Sequence, residues 1–594
     1  MSSQSPHAQG LLNNSSAPPS PSFPPHQPGR TSKLLHHLRR FLAFVGPGWM
    51  VSVGYMDPGN WATDMEAGAR YRYSLLFVLL IANIMAILLQ SLTVRLGVIT
   101  GLDLAQASRV HFPRKLNLFL YFLCELAIIA CDLAEVIGAA VAMQLLFGLP
   151  LWVGCLLTLL DVLIILGLLS LASRRFSRLN SSSPSDDSLL PTRILEGFVM
   201  FLVGGVAICF IILLGRVNAP TIPVLEGFLP SIEPISSAKG LWISLGIIGA
   251  TVMPHNLYLH SHTVKARAFT HYYPPCESVK VCPSSSSSSS SSSREGIQWT
   301  IWLSLLDMLI ALALAVFVNA AILIVSGAAF YGLDDAEAAG SADLFDAHFL
   351  LSKYLGQGAA TVFSIALLLS GLSATVTATL AGQVVMEGFL GLGLKPWIRR
   401  FLSRGLAVIP ATLIAATSGR QGLGDLLLWS QVILSLQLPF AVVPLVYLTS
   451  SSRIMKAAGQ GSTTTTTTTP FDKANSGQND DQDLLASDGE EEREEHTVPT
   501  GASSRSPLQR ERRSNFVIEE ENDGDDEDEV HSPPPPKHPL FPRPRLSLSI
   551  SHGPKPSSPS WANPPWLTVM GWIVATIIVC LNLVLLVQMA MGND

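Results

Sequence analysis

Two short segments combine residues that lipid excludes with residues that break helices. Gly54-Tyr55-Met56-Asp57-Pro58-Gly59-Asn60 lies in the middle of one apolar run, and Gly249-Ala250-Thr251-Val252-Met253-Pro254-His255-Asn256 lies in the middle of another. Pro58 removes a backbone donor and Gly59 tolerates unwound backbone, so Asp57 and Asn60 are expected to flank a break in their helix. Asp57 offers a hard anionic oxygen and Asn60 a neutral carbonyl oxygen. The unwound backbone near Gly54 and Ala250 adds further carbonyls, and Met253 adds a soft thioether. Oxygen ligands alone suit calcium or magnesium, whereas a thioether favours softer first-row and heavier divalent ions. The mixture therefore points to manganese, iron, cobalt or cadmium. A methionine in a membrane helix is usually core filler. Met253 gains meaning from its place directly before the Pro254 break, with Ala250 three residues earlier on the same helical face.

A second constellation is acidic. Glu125, Asp132 and Glu135 are spaced by seven and three residues inside one apolar run, which sets them along a single stripe of a helix. A charged side chain at mid-bilayer costs roughly 2.5 to 3.5 kcal/mol. Three carboxylates on one face are therefore expected either to line a polar route that takes up and releases protons or to pair with a cation such as Arg404. His255, beside Met253, titrates in a useful range and could transmit protonation to the metal site, or it could serve as a hydrogen-bonding strut.

The elements that must position these residues are membrane spans. With 14% charged and 48% hydrophobic residues and a mean hydropathy of +0.38, the chain of 594 residues is too apolar for an ordinary soluble protein. Apolar runs near the length of about 20 residues needed to cross a bilayer fall at 43–66, 73–98, 116–147, 149–171, 192–216, 237–262, 298–327, 360–391, 401–418, 424–450 and 566–590. That is eleven spans. The Pro58 and Pro254 breaks are 196 positions apart, each in the first member of a set of five. Spans 1 to 5 (43–216) and 6 to 10 (237–450) thus read as two repeats. An odd number of spans inverts the second repeat relative to the first, an architecture in which paired broken helices enclose a midplane substrate site. Span 11 is then an appendage.

The map that results is a disordered tail over 1–40, a core over 41–451, a low-complexity linker over 452–563, and span 11 with a short C-terminus over 564–594. Basic residues place the N-terminus in the cytosol: Arg30, Lys33, Arg39 and Arg40 precede span 1, and Arg109, Arg114 and Lys115 follow span 2. Arg174, Arg175 and Arg178 follow span 4, Lys265 and Arg267 span 6, and Lys395, Arg399 and Arg400 span 8. Asp334, Asp335, Glu337, Asp343 and Asp346 make an acidic loop on the opposite side. The sequons at Asn13, Asn14 and Asn180 then fall in the cytosol and are discounted. Two inserts also fall there: the Ser284–Ser293 run, and the linker, with 20 Asp and Glu against 12 Lys and Arg. The linker's balance of −8 exceeds the chain's −6, so the remainder is slightly basic and overall acidity says nothing about substrate. Five of the seven cysteines lie in apolar runs, so no disulfide framework is expected; Cys276 and Cys282, near His271, match no zinc spacing.

Asp57-Pro58-Gly59-Asn60 and Met253-Pro254-His255-Asn256, with the following Leu257-Tyr258-Leu259-His260-Ser261, closely resemble the Nramp (natural resistance-associated macrophage protein) family. The resemblance extends over all eleven spans and includes Glu125 to Gly138 in span 3 and Ser430-Gln431 through Pro439-Phe440 in span 10. It implies an all-α polytopic protein of the leucine-transporter fold that moves divalent metal with protons. It further implies that Asp57, Asn60, Met253 and the Ala250 carbonyl bind the metal, with Gly54 and Gln431 as state-dependent or secondary contributors. The family's proton pathway maps onto Asp132 as acceptor, Glu135 and Glu125 as relays, and Arg404 as an exit-side partner. Gly54 stands where many members have alanine, a change that a backbone carbonyl ligand survives.

Two other classes use some of the same features. A sodium- or proton-coupled amino-acid symporter could share the fold, but a substrate carboxylate prefers helix N-terminal amides to an added anion such as Asp57. A non-transporting metal sensor could use the acidic linker, in which no protein-binding domain is visible. No nucleophile with a paired base and no phosphate loop stands out, so no enzyme is expected, and no cofactor or nucleic-acid partner either. Asp480 with Leu484 and Leu485 fits the loose acidic dileucine pattern of endosomal sorting, compatible with a plasma-membrane or an endosomal or vacuolar location.

Overall fold

The computed structural model describes residues 41, 42, 44–160, 164, 167, 190–232, 236–272, 289–332, 344–391, 396–455 and 561–591. Several expectations lie outside them: the tail with Asn13 and Asn14, Arg174, Arg175, Arg178 and Asn180, Cys276 and Cys282, Asp334 to Asp343, Lys395, and the linker with Asp480, Leu484 and Leu485.

Proline decides where the first helices stop. Run 1 forms α1 (Pro47–Ser52), a 3-10 turn over Val53–Tyr55, and α2 (Pro58–Tyr71). There follow α3 (Leu76–Thr100), α4 (Leu104–His111), α5 (Arg114–Phe147), α6 (Leu151–Leu160), α7 (Leu190–Arg216) and α8 (Thr221–Glu226). The second broken span is α9 (Ala238–Thr251) with α10 (Pro254–Tyr272). The remainder are α11 (Ser289–Ala329), α12 (Leu344–Leu355), α13 (Gln357–Leu390), α14 (Pro396–Thr417), α15 (Gly419–Gln437), α16 (Pro439–Ser450) and α17 (Pro565–Ala590).

By length and composition, seven stretches among the described residues are able to cross a membrane: α3, α5, Arg193–Arg216, Glu295–Ala329, α13, α15 joined with α16, and α17. The other four of the eleven expected spans fall short of that measure for identifiable reasons. Spans 1 and 6 are divided at Pro58 and Pro254, and of span 4 the continuous described helix is α6 alone. Span 9, α14, carries Arg399, Arg400 and Arg404.

Several charges expected in loops are helical instead. Lys265 and Arg267 lie in α10, Arg109 in α4, Arg399 and Arg400 in α14, Ser289 to Ser293 open α11, and Asp346 lies in the first turn of α12. Helices that project past an apolar run carry their boundary charges with them, so the basic pattern marks ends of runs rather than loops.

α10 packs against α1, and α9 against α2, so the first half of each broken span meets the second half of the other. That pairing is antiparallel, as inverted repeats require. α5 lies against α13, α14 and α15. α14 resolves its three arginines by being two-faced: Arg399, Arg400 and Arg404 are buried, while Phe401, Leu402, Leu406, Ile409 and Leu413 point outward.

Candidate functional site

The first break follows from one missing donor. In a helix the Gly54 carbonyl would accept from the N–H of residue 58, which is proline, so that carbonyl is freed. The chain unwinds after Tyr55 and restarts with Asp57 as an extended N-cap. Side chains satisfy the freed backbone: Asn60 Nδ2 donates to Gly54 O at 3.2 Å and Asn319 Nδ2 to Tyr55 O at 2.7 Å. Met56 O accepts from Ser370 Oγ at 2.5 Å and Trp61 Nε1 at 3.1 Å. Asp57 Oδ1 accepts from Asn60 N at 2.8 Å and Asn60 Nδ2 at 2.7 Å. Asp57 Oδ2 is buried and has no hydrogen-bond partner among the described residues. Among the described residues no ion pair involves Asp57.

The second break repeats the spacing. Pro254 stands four residues after Ala250, so the Ala250 carbonyl also lacks its helical donor. α9 ends with Val252 N donating to Ile248 O at 2.8 Å. Met253 is fully buried among Ala127, Ala130 and Cys131 of α5 and Leu434 of α15. Thr251 Oγ1, His255 Nδ1 and both amide atoms of Asn256 are buried without hydrogen-bond partners among the described residues.

The breaks face each other through close approaches. A Cβ on Gly54 would run into the Asn256 side chain, so that amide would have to shift to admit one. A Cβ on Gly59 would meet the Gln431 amide, and one on Gly249 the Gln431 carbonyl. Gln431 therefore touches both breaks; its Nε2 donates to Ser430 Oγ at 3.0 Å, while its Oε1 is buried and unpartnered. Gly138 lets α5 approach Pro58 at the same level. Asp57 lies in the first break, the freed Ala250 carbonyl and the Met253 sulfur lie in the second, and Gln431 packs against both. Among the described residues no three His, Cys, Asp or Glu side chains form a metal cluster.

The acidic stripe of α5 runs alongside α14. Arg400 Nη1 lies 2.5 Å from Asp132 Oδ1, and its Nη2 lies 3.3 Å from Glu135 Oε2. Arg404 Nη1 lies 2.7 Å from Glu135 Oε2, and its Nη2 donates to Thr375 Oγ1 at 3.1 Å. Thr375 in turn donates to Glu135 Oε2 at 3.2 Å. Asp132, Glu135, Arg400 and Arg404 are all at most 1% exposed. One helical turn and more away, Arg399 Nη2 spans both oxygens of Glu125 at 2.8 and 2.9 Å, where Glu125 is 20% exposed. Cys131 joins the two regions: it packs on Met253, and its thiol donates to Glu135 Oε1 at 3.8 Å.

Sequence reasoning placed Arg404 with these carboxylates but took Arg399 and Arg400 for loop charges. The three-arginine spacing of α14 against the three-carboxylate spacing of α5 was the available signal. Asn319, Ser370 and Thr375 were missed because a single polar residue in an apolar run has no signature. So was a buried chain beneath the first break, in which Gln90 Nε2 donates to the Tyr55 hydroxyl at 3.0 Å and Gln90 Oε1 meets His260 Nδ1 at 2.8 Å.

The family model described as "Natural resistance-associated macrophage protein-like" matches residues 48–181 and 188–468. The chain is 48% identical over 425 residues to the "Divalent metal cation transporter MntH" of Xanthomonas campestris, covering 71% of this chain and 86% of that one. It is 45% identical over 420 residues to the "Iron transporter SMF3" of Saccharomyces cerevisiae, covering 70% and 84%. A crystal structure of a mutant manganese transporter from Eremococcus coleocola superposes with a TM-score of 0.57 at 34% identity, covering 71% of this chain and 83% of that one.

Proposed function

The chain belongs to the natural resistance-associated macrophage protein family, and on that premise we propose that it carries divalent transition-metal ions, manganese and iron among them, across a membrane together with protons. It is a multi-pass membrane transporter of the leucine-transporter fold, not an enzyme. The observation that carries the metal site is the buried Asp57 carboxylate, whose Oδ2 has no partner and beside which no cation stands among the described residues. An uncompensated buried anion is costly, and a divalent cation relieves that cost.

In this reading the cation exchanges its water for Asp57, Asn60, Met253 and the Ala250 carbonyl, with Gln431 and the Gly54 carbonyl contributing as the breaks move. The thioether admits manganese, iron, cobalt or cadmium and disfavours calcium. Protons travel by the α5–α14 seam. A proton on Asp132 or Glu135 removes the charge that holds Arg400 or Arg404, so protonation loosens the seam as it passes. Asp132 is the acceptor, Glu135 and Glu125 are relays, and His255, which touches the second break, can report protonation to it. With the N-terminus in the cytosol, transport runs inward, and 100 mV negative inside supplies about 2.3 kcal/mol per elementary charge. The sorting sequence Asp480, Leu484, Leu485 would direct the protein between the plasma membrane and endosomal or vacuolar membranes.

Manganese uptake into proteoliposomes, with and without an inward proton gradient, tests the proposal. Uptake stimulated by the gradient and lost in Asp57→Ala supports it; no uptake by correctly reconstituted wild type contradicts it.

A further inference from the structure

Span 11 reads from sequence as an appendage, yet it reaches the helix that carries Gln431. α17 packs against α9, α15 and α16, and most of its side chains there are apolar: Leu585 lies with Leu241 and Leu245 of α9 and Val432 of α15. Asn582 is the polar exception on that face and is buried. Its partner outside α17 is Ser435, 147 positions away: Asn582 Nδ2 donates to Ser435 O at 2.9 Å as well as to Ile578 O, one turn back, at 3.0 Å, and Ser435 Oγ donates to Asn582 Oδ1 at 3.1 Å.

The target of that bond has a reason. Ser435 stands four residues before Pro439, so its carbonyl is freed just as those of Gly54 and Ala250 are. α15 stops at Gln437, and among the described residues Leu438 N is shared between Leu434 O at 3.1 Å and Ser435 O at 3.2 Å. Span 11 thus caps the bend of span 10. Ser435 also lies one turn past Gln431, and Gly249, next to Ala250, packs on Ser435 and on the Gln431 carbonyl at once. The bend, the Gln431 backbone and the second helix break form one contact.

We infer that Asn582 is a positioning residue for transport: by capping the Ser435 carbonyl it fixes the bend of span 10 and so holds Gln431 between the two helix breaks. The inference rests on the metal-transport reading. A strut that merely stabilised the bundle would change affinity irrespective of Gln431; a positioning residue acts through it.

The test is a double-mutant cycle read as manganese affinity of the purified protein by titration calorimetry, with proteoliposome uptake of wild type alongside. Asn582→Leu, similar in shape but unable to make any of these bonds, weakens manganese binding roughly 3- to 10-fold, the range for one hydrogen bond to a buried group. Asn582→Ser, which keeps a donor, stays within about twofold of wild type. In a Gln431→Ala background Asn582→Leu changes affinity by less than about twofold, since the positioned group is gone. Equal weakening in both backgrounds, or none in either, overturns the positioning role. Should Asn582→Leu not yield monodisperse protein, Asn582→Ala against Asn582→Ser decides on the same terms: Ala must weaken binding and Ser must not. Absence of wild-type uptake would instead overturn the transport reading, a result distinguishable from normal uptake with an unaffected Asn582→Leu.

Discussion

At the helix breaks one buried carboxylate, Asp57, has an open oxygen and no cation beside it among the described residues; on the α5–α14 seam three carboxylates face three guanidinium groups. The two regions touch at Cys131, yet their charge is arranged oppositely. A site left with an unbalanced anion and open acceptors gains by binding a cation from outside. A seam already balanced has nothing to gain from a metal ion, but each of its pairs can be exchanged for a proton. Separating the tasks in this way lets one cation be filtered by donor type while the other moves along fixed partners.

Five single substitutions and one double variant bear on that contrast. Asp57→Ala removes the charged donor, and manganese uptake should fall about 100-fold or more, equivalent to ~2.7 kcal/mol; uptake within tenfold of wild type would erase the distinction. Arg404→Ala leaves the buried Asp132 and Glu135 to share the Arg400 guanidinium, an excess buried negative charge that costs roughly 3 to 5 kcal/mol of stability, measured as thermal unfolding in detergent. Adding Glu135→Gln should recover more than half of that loss. Asp57→Asn, by contrast, removes an anion that has no cationic partner among the described residues and should leave unfolding unchanged or raised. Met253→Ala should retain manganese uptake while calcium competes about tenfold better, the value of ~1.4 kcal/mol in selectivity; unchanged competition would remove the thioether from the filter. Glu125→Gln, which breaks the more exposed pair with Arg399, should shift stability by less than about 1 kcal/mol.

The breaks and the acidic stripe were legible because each is a rare coincidence in an apolar run: a proline with a carboxylate at Asp57-Pro58, a second proline at the matching repeat position, Pro254, and three carboxylates on one helical face. Their positions follow from bonding rules that hold before packing. Arg399 and Arg400 were misread because a basic residue at the edge of an apolar run looks the same whether it faces the cytosol or turns inward; only the packing of α14 on α5 separates the cases. Asn319 and Ser370, which satisfy the unwound carbonyls, were not legible, since the need for a donor is local to residues 55 and 56 while the donor lies on a helix hundreds of positions away. The same limit hid Asn582, whose partner carbonyl is identified by Pro439 but whose own place in the contact is not.

The most direct test is simultaneous measurement of manganese uptake and proton influx in proteoliposomes holding the Asp132→Asn variant. Separate regions for metal and proton predict that manganese uptake persists while the protons accompanying each manganese fall well below wild type. Loss of both fluxes in constant proportion would contradict the division of labour between the breaks and the seam.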